Sequence, residues 1–363
     1  MNKTVVVGMS GGVDSSVCAY LLKEQGYNVI GVTMQIWRPE NASDVSDNGG
    51  CCGLSAVDDA RRVAEVLDIP YYVMDFREEF QKAVIDHFAA QYVRGMTPNP
   101  CIECNRHVKW EALLKKARDI GADYLATGHY ARIAMLENGR LSISASKTAA
   151  KDQTYALYAL TQEQLSHTLL PIGEYEKSEV RSIAERAGLP VAHKKDSQEI
   201  CFVPNGDYAA FIDKEPGVKV PPPGDFVTPS GEFIAVHKGI THYTVGQRRG
   251  LGVAAGERIY VTDIDPATNR VTLGSDENLL ITEVRAEDVC WMGLEEKEAL
   301  EGIRVKAKIR YNHPGETGIL KAFPDGKVSV TFDKNVRGAA PGQALVFYDE
   351  EGTYIYGGGT IIK

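Results

Sequence analysis

Residues 5–15 read Val5-Val6-Val7-Gly8-Met9-Ser10-Gly11-Gly12-Val13-Asp14-Ser15, and no other stretch constrains the fold as strongly. A β-branched run ends in a turn of small residues. Apolar positions at Val13, Val17, Cys18, Leu21 and Leu22 then repeat with helical spacing. A buried strand that feeds a helix through so short a turn belongs to a parallel sheet covered by helices. Successive N–H groups in such a turn, aided by the positive end of the helix dipole, make a concave site for anions. Gly11 and Gly12 let the main chain approach a phosphate closely, and Ser10 and Ser15 add hydroxyl donors. The Gly-Lys-Ser/Thr of kinase and GTPase phosphate loops is absent, as is the spaced glycine triplet of dinucleotide binders.

The pattern repeats down the first half of the chain. Val29–Met34 predicts a second buried strand, Tyr71–Met74 a third, and Tyr124–Tyr130, with Gly128-His129-Tyr130 in it, a further strand followed by a turn. Helical stripes lie between them: Val57, Ala60, Val63, Ala64 and Leu67; Phe80, Val84, Phe88 and Tyr92; Trp110, Leu113, Leu114 and Ala117. Residues 38–53 are a polar, glycine-rich insertion, and a helix capped by Ser178 ends at Gly188-Leu189-Pro190. Ligands of open α/β sheets bind outside the carboxyl ends of the strands, which gathers the 10–15 turn, Met34, the 95–105 loop and Gly128-His129. From Pro221-Pro222-Pro223-Gly224 onward the chain turns to short alternating strands: Phe226–Val236, Arg258–Ile264 and Arg270–Leu273. Arg304–Arg310, Glu316–Ala322, Lys327–Phe332 and Ala344–Tyr348 follow and suggest a small barrel. The expected architecture is α/β: a doubly wound parallel-sheet domain over 1–205, a small β-rich domain over 206–280 and a C-terminal β-barrel over 281–363.

Composition sets the outer bounds. A chain of 363 residues exceeds one ordinary core, and 44% hydrophobic with 25% charged residues is the balance of a globular protein. No signal-like segment opens the sequence and no apolar run is long enough to cross a bilayer, so a cytoplasmic, membrane-free protein is expected. Seven cysteines at irregular spacings do not describe a secreted disulfide framework. A net charge of −9 argues against indiscriminate nucleic-acid binding. Local basic groups leave room for a specific RNA enzyme: Lys147 with Lys151, Lys194-Lys195, Arg248-Arg249, and Lys306, Lys308 and Arg310. Taken singly, each reads as a solvated face.

Two cysteines stand out as chemistry. Cys104 lies at or just before a predicted helix start, where partial positive charge favours thiolate, with Arg106, His107 and Lys109 close by in sequence. Cys101 and Cys104 also form a Cys-x-x-Cys pair, half of a zinc or iron–sulfur site. A closed zinc site needs two more ligands, and no second Cys-x-x-Cys exists. A cluster on Cys101, Cys104 and Cys201 stays open. Cys18 falls on a helix stripe and Cys290 beside Val289 and Trp291, both core positions, while Cys51 and Cys52 sit undecided in the insertion.

The hexapeptide Ser10–Ser15 resembles the pyrophosphate loop of ATP pyrophosphatases. With Asn99-Pro100-x-x-x-Cys104-Asn105, Gly128-His129-Tyr130, Lys151-Asp152-Gln153 and Ser197-x-x-Ile200-Cys201-Phe202 in that order, the whole chain resembles bacterial tRNA-specific 2-thiouridylases. The resemblance implies that Gly8, Met9, Ser10, Gly11, Gly12, Val13, Asp14, Ser15, Met34 and Gly128 bind ATP, with Mg2+ as its companion. It implies Cys104 as nucleophile and Cys201 as the acceptor of a persulfide from a sulfur carrier or cysteine desulfurase, the two able to pair as a redox disulfide. Asn99, Pro100 and Cys101 would touch the target base. His129, Lys151, Asp152, Gln153, Arg310, Tyr311 and Gln343 would contact a tRNA with a glutamate, glutamine or lysine acceptor. Some relatives carry an aspartate where this chain has Cys101, which leaves the acid/base at that position open. The rival readings are another ATP pyrophosphatase, such as a lysidine synthetase or an amide-forming enzyme, and a non-catalytic RNA module. Neither needs Cys104 and Cys201.

Overall fold

The computed structural model describes residues 2–36, 54–148, 151–195, 200–203, 206–253, 256 and 258–363. Cys51 and Cys52 lie outside them. Two compact units emerge, one of residues 1–84 with 101–206 and one of 85–100 with 207–363.

In the first unit, strands β1 (Thr4–Gly8), β2 (Asn28–Gln35), β3 (Tyr71–Asp75) and β4 (Tyr124–Thr127) form a parallel sheet, joined at its far edge by the two-residue β7 (Thr168–Leu169). The order β3-β2-β1-β4-β7 places β1 in the middle. Its three valines are all fully buried because each face of a parallel sheet is covered. Val5 and Val7 pack with Val17 and Ala19 of helix α1 (Val13–Glu24), with Ala60 and Val63 of helix α2 (Leu54–Val66), and with Val180 and Ala184 of the helix Lys177–Arg186. An antiparallel hairpin, β5 (Ala131–Met135) with β6 (Leu141–Ala145), follows β4. The helix 177–186 is capped by Glu176 rather than Ser178. The Glu176 carboxylate accepts the backbone N–H at the third helical position, and Glu179 reaches back to the Glu176 N–H at 2.7 Å.

The second unit holds a four-stranded sheet, ordered β10-β11-β8-β9, and a closed barrel. The sheet's strands are β8 (Gly224–Val227), β9 (Phe233–His237), β10 (Tyr260–Asp265) and β11 (Arg270–Gly274). The stretch expected as one strand, Phe226–Val236, is a hairpin. Its turn closes where Thr228 N–H donates to Glu232 O and Gly231 takes a positive φ. The barrel runs β12 (Leu280–Trp291), β15 (Val328–Arg337), β14 (Glu316–Ala322), β13 (Ile303–Lys308), β16 (Ala344–Tyr348) and β17 (Ile355–Ile361). Closure leaves no open edge, and Val305, Ala307, Leu320, Val330 and Phe347 fill its interior. The segment Ile85–Pro100 packs with this unit: Tyr92 stacks on Tyr208 at 4.7 Å between ring centroids, and Gly95 lies against Ile264 and Pro266.

Candidate active site

The 8–15 turn sits at the carboxyl end of the central strand. Met9 N–H continues the ladder to Val32 O, and Thr33 Oγ donates to Met9 O at 2.7 Å, so the turn leaves the sheet at a fixed point. Ser15 is buried and its hydroxyl faces inward, accepting from Ser10 N–H (3.1 Å) and donating to Gly12 O (3.2 Å). That hydroxyl braces the turn. The donors left for a ligand are backbone N–H groups, since the first turn of α1 lacks intrahelical acceptors and Gly12 caps it without a side-chain bond.

Two glycines keep the cradle open. Gly11 has φ +67°, and a Cβ there would fall on the Ala56 carbonyl of α2. A Cβ on Gly128, at the end of neighbouring β4, would lie 2.6 Å from Ser15 N and 2.7 Å from Asp14 C. Met34 is half-buried near the end of β2. The turn, Met34 and Gly128 thus lie at the carboxyl ends of three adjacent strands, β1, β2 and β4.

Charge pairs that sequence reasoning missed flank the turn. Lys177 Nζ lies 2.7 and 2.9 Å from the two Asp14 oxygens, and Tyr130 OH donates to Asp14 Oδ1 at 2.7 Å. Lys194 Nζ donates to Gly11 O at 3.0 Å and pairs with Asp59 of α2 at 2.7 Å. Lys177 thus faces the Asp14 carboxylate and Lys194 the Asp59 carboxylate beside the turn. Their separation along the chain hides these pairs: Asp14 and Tyr130 stand in sequence motifs and Lys194 in a basic dipeptide, while Lys177 and Asp59 carry no such signal.

The segment Lys151-Asp152-Gln153 joins the same network. Gln153 Oε1 accepts Tyr130 N–H at 2.8 Å, Gln153 N–H donates to Tyr130 O at 3.1 Å, and Asp152 holds Thr154 through its hydroxyl at 2.8 Å. His129 is buried against Trp110, with Nδ1 2.7 Å from Thr127 Oγ. Burial, reinforced by the Lys109 charge, holds its pKa well below the ordinary histidine value, so the ring is neutral near pH 7.

Cys104 differs from its sequence-based reading. The helical backbone begins at Pro100, and Cys104 opens a π-helical stretch, Cys104–Leu113, one turn further in. Glu103 before it is itself helical, and the dipole effect decays within the first turn, so a helix N-terminus is not what would activate this thiol. Among its neighbours, His107 sits 2.7 Å from Glu111 and 3.5 Å from Glu103, while Lys109 donates to Asn105 Oδ1. Cys101 is exposed, and Cys104 and Cys201 are half-buried. Phe202, beside Cys201, is locked edge-on against Phe80 at 5.7 Å in the core. Cys18 is fully buried, which pushes its thiol pKa far up and leaves it inert. Cys290 is half-buried rather than core.

Among the described residues no three His, Cys, Asp or Glu side chains form a group able to hold a metal ion, which gives the proposed iron–sulfur ligands no observed support. The carboxylate nearest the turn, Asp14, is already engaged by Lys177. Asn99, Pro100, Arg310, Tyr311 and Gln343 belong to the second unit. There Arg310 Nη1 donates to Arg337 O at 2.7 Å and Gln343 Nε2 to Thr97 O at 2.8 Å.

Three domain families match in series: a tRNA methyl transferase HUP domain over 3–205, a tRNA methyl transferase PRC-barrel domain over 209–275 and an aminomethyltransferase beta-barrel domain over 281–361. A tRNA-specific 2-thiouridylase MnmA of Lachnoclostridium phytofermentans is 58% identical over 361 residues, 99% of this chain and 100% of that one. The protein of the same name from Clostridioides difficile is 50% identical over 100% of this chain and 99% of its own. Among solved structures, NMN synthetase from Francisella tularensis overlaps 54% of this chain and 66% of its own, at 17% identity and a TM-score of 0.34, too low to carry a functional argument. The domain descriptions speak of methyl transfer and the full-length relatives of thiolation. Identity across the whole length decides between them: the chain belongs to the tRNA-specific 2-thiouridylase family.

Proposed function

We propose that this chain is a tRNA-uridine 2-sulfurtransferase that thiolates the wobble uridine at C2 at the expense of ATP. The observation that carries the reading is the full-length kinship with 2-thiouridylases. The open backbone cradle at 10–15 agrees with it.

A uracil C2 carbonyl is a weak electrophile with a poor leaving group. Attack of the C2 oxygen on the α-phosphorus of ATP, with loss of pyrophosphate, converts that oxygen into AMP. The backbone N–H groups at the start of α1 bind the departing phosphates, and Lys194 and Lys177 lie within reach of the charge that develops. Gly8–Ser15, Met34 and Gly128 form the ATP subsite. Mg2+ would supply further charge neutralisation when it arrives on the nucleotide.

A persulfide on Cys201, loaded by a sulfur carrier or desulfurase, attacks C2 through its terminal sulfur, and AMP departs. Cys104 thiolate then attacks Sγ of Cys201. The bond from Cys201 to the transferred sulfur breaks, releasing 2-thiouridine and leaving a Cys104–Cys201 disulfide. An external thiol must supply two electrons to reset the pair. Asn99, Pro100 and Cys101 hold the flipped base, which leaves a single-stranded loop at little cost. His129, Lys151, Asp152, Gln153, Arg310 and Tyr311 contact the RNA, and Gln343 serves it indirectly, through its bond to Thr97.

Incubation with unmodified tRNA, ATP and sulfide, followed by mass spectrometry of the digested tRNA, tests the reading. ATP-dependent 2-thiouridine at the wobble position is expected, and its absence defeats the proposal. Cys104→Ser and Cys201→Ser should both abolish persulfide-fed thiolation; a variant that retains full activity points instead to an ATP pyrophosphatase that makes no use of thiols.

A further inference from the structure

We propose that the barrel turn Ala340–Gln343 is a positioning clamp for the segment that presents Asn99 and Pro100 to the target base, an inference resting on the function proposed above. Both backbone polar groups of Thr97 are taken by this one turn. Thr97 N–H donates to Pro341 O at 2.7 Å, and Gln343 Nε2 donates to Thr97 O at 2.8 Å. Thr97 is buried, so losing either partner would strand a polar group away from water.

The fit is close on both sides. Gly342 has φ +89°, and a Cβ there would lie 2.8 Å from Thr97 N and 3.0 Å from Met96 Cβ. Gly95 has φ +72°, and a Cβ there would lie 2.9 Å from Ile264 Cγ2. The turn itself is fastened to β17: Gly342 N–H donates to Ile361 O at 2.9 Å and Ile361 N–H to Gln343 O at 2.8 Å. The chain then reads Thr97-Pro98-Asn99-Pro100, and two prolines restrict the backbone on either side of Asn99. Holding Thr97 therefore sets where Asn99 and Pro100 lie.

The clamp shares a barrel end with other residues assigned to RNA. Strands β13 and β16 are antiparallel, with Lys308 opposite Val346, so their continuation brings Arg310 and Gln343 to one rim. Arg310 bonds to Arg337 O, at the head of the connection that ends in the clamp. RNA seated on Arg310 and Tyr311 thus bears on the connection that holds Thr97. Gln343 acts through the protein, as a positioning residue, and not by reading the RNA itself.

The test compares full-length wild type with Gln343→Glu, which keeps the shape and loses the donor, and Gly342→Ala. Binding of tRNA and single-turnover thiolation at saturating tRNA and ATP are measured separately. A displaced base-presenting segment should slow the saturated rate by about tenfold or more, with tRNA affinity changed less than about twofold, a shift well under 1.4 kcal/mol. Gln343→Lys, which can still donate to Thr97 O, should recover much of the rate. If Gln343→Glu weakens tRNA binding at an unchanged saturated rate and Gly342→Ala behaves as wild type, Gln343 is an RNA contact and the clamp is wrong. Hydrogen exchange on the unmodified protein gives a second reading: the Thr97 amide should be protected, and fast exchange there overturns the clamp whatever the variants do. A wild type that makes no 2-thiouridine would sink the functional reading, leaving the exchange result to judge the clamp.

Discussion

Gly128 closes the proposed nucleotide cradle against backbone rather than side chain. Its Cα side is pressed to the Ser15 amide and the Asp14 carbonyl carbon, backbone atoms that cannot rotate away from an added methyl. Gly128→Ala should therefore push β4 off the first turn of α1. Overpacking of this kind costs about 1–3 kcal/mol, and at the site it should appear as roughly a ten- to hundredfold loss in kcat/KM for ATP. Circular dichroism should report a folded chain, and wild-type ATP kinetics would remove Gly128 from the site. A second residue sets a pH response. His313 is buried in the second unit, and burial together with the neighbouring Arg310 charge brings its pKa down to about 4. Gly315 N–H donates to its Nδ1 at 3.1 Å, a bond that needs the ring nitrogen unprotonated. The unfolded chain takes up the proton near pH 6.5, before the folded one does. Stability from the neutral ring is thus complete above that pH and is lost as pH falls toward 4. Burial lowers the pKa of His129 and His237 as well, and both add to the trend. Urea midpoints measured across this window should fall with pH, and His313→Gln should flatten the decline; an unchanged slope would exonerate His313.

At the scale of elements, the helix Lys177–Arg186 links packing to charge. Its inner face, Val180, Ile183 and Ala184, is buried with α1, and its first residue is the lysine that holds Asp14. Glu176 fixes that first turn through the capping box and also accepts from Thr148 Oγ at 2.9 Å. Glu176→Ala should cost about 1 kcal/mol of stability and fray the turn that carries Lys177. The KM for ATP should rise several-fold more than it does in Lys214→Ala, a surface control at the end of another helix; equal effects would show that the cap is only structural. This helix also marks what the sequence can and cannot disclose. The β1–turn–α1 unit was legible because strand period, turn chemistry and helix period lie within a dozen residues and agree. The parallel sheet and the barrel were legible for the same local reasons. The cap at Glu176 was not, because Ser178 is the stronger local signal and the choice was made by Thr148 and Glu179. Cys104 was misplaced by one turn since the short helix from Pro100 has no apolar period of its own. Lys177 with Asp14, Lys194 with Gly11, and Gln343 with Thr97 each join residues far apart in sequence, and no local pattern encodes such pairs.

At the scale of the whole molecule, the charge balance dictates how RNA can be held. A chain of net charge −9 repels a polyanion at long range, so association must rest on a few discrete cations rather than on a general field. Many arginines of the second unit are already spent on carboxylates: Arg304 on Asp333 and Glu350, Arg337 on Asp276, Arg285 on Glu283. Arg310 is tied at Nη1 to the Arg337 backbone carbonyl, a contact that leaves its positive charge in place. Each phosphate contact steepens the logarithmic salt dependence of binding by roughly 0.7–0.9. Wild-type tRNA affinity should accordingly fall with salt along a shallow line, of slope magnitude about 2–4. Arg310→Ala should flatten that line by about 1 and weaken binding to every accepted tRNA alike, because phosphates carry no sequence. Titrations at several salt concentrations decide the matter. A lower affinity with the wild-type slope would mean that Arg310 serves the connection at Arg337 alone, and that the charge which meets the RNA lies elsewhere on the chain.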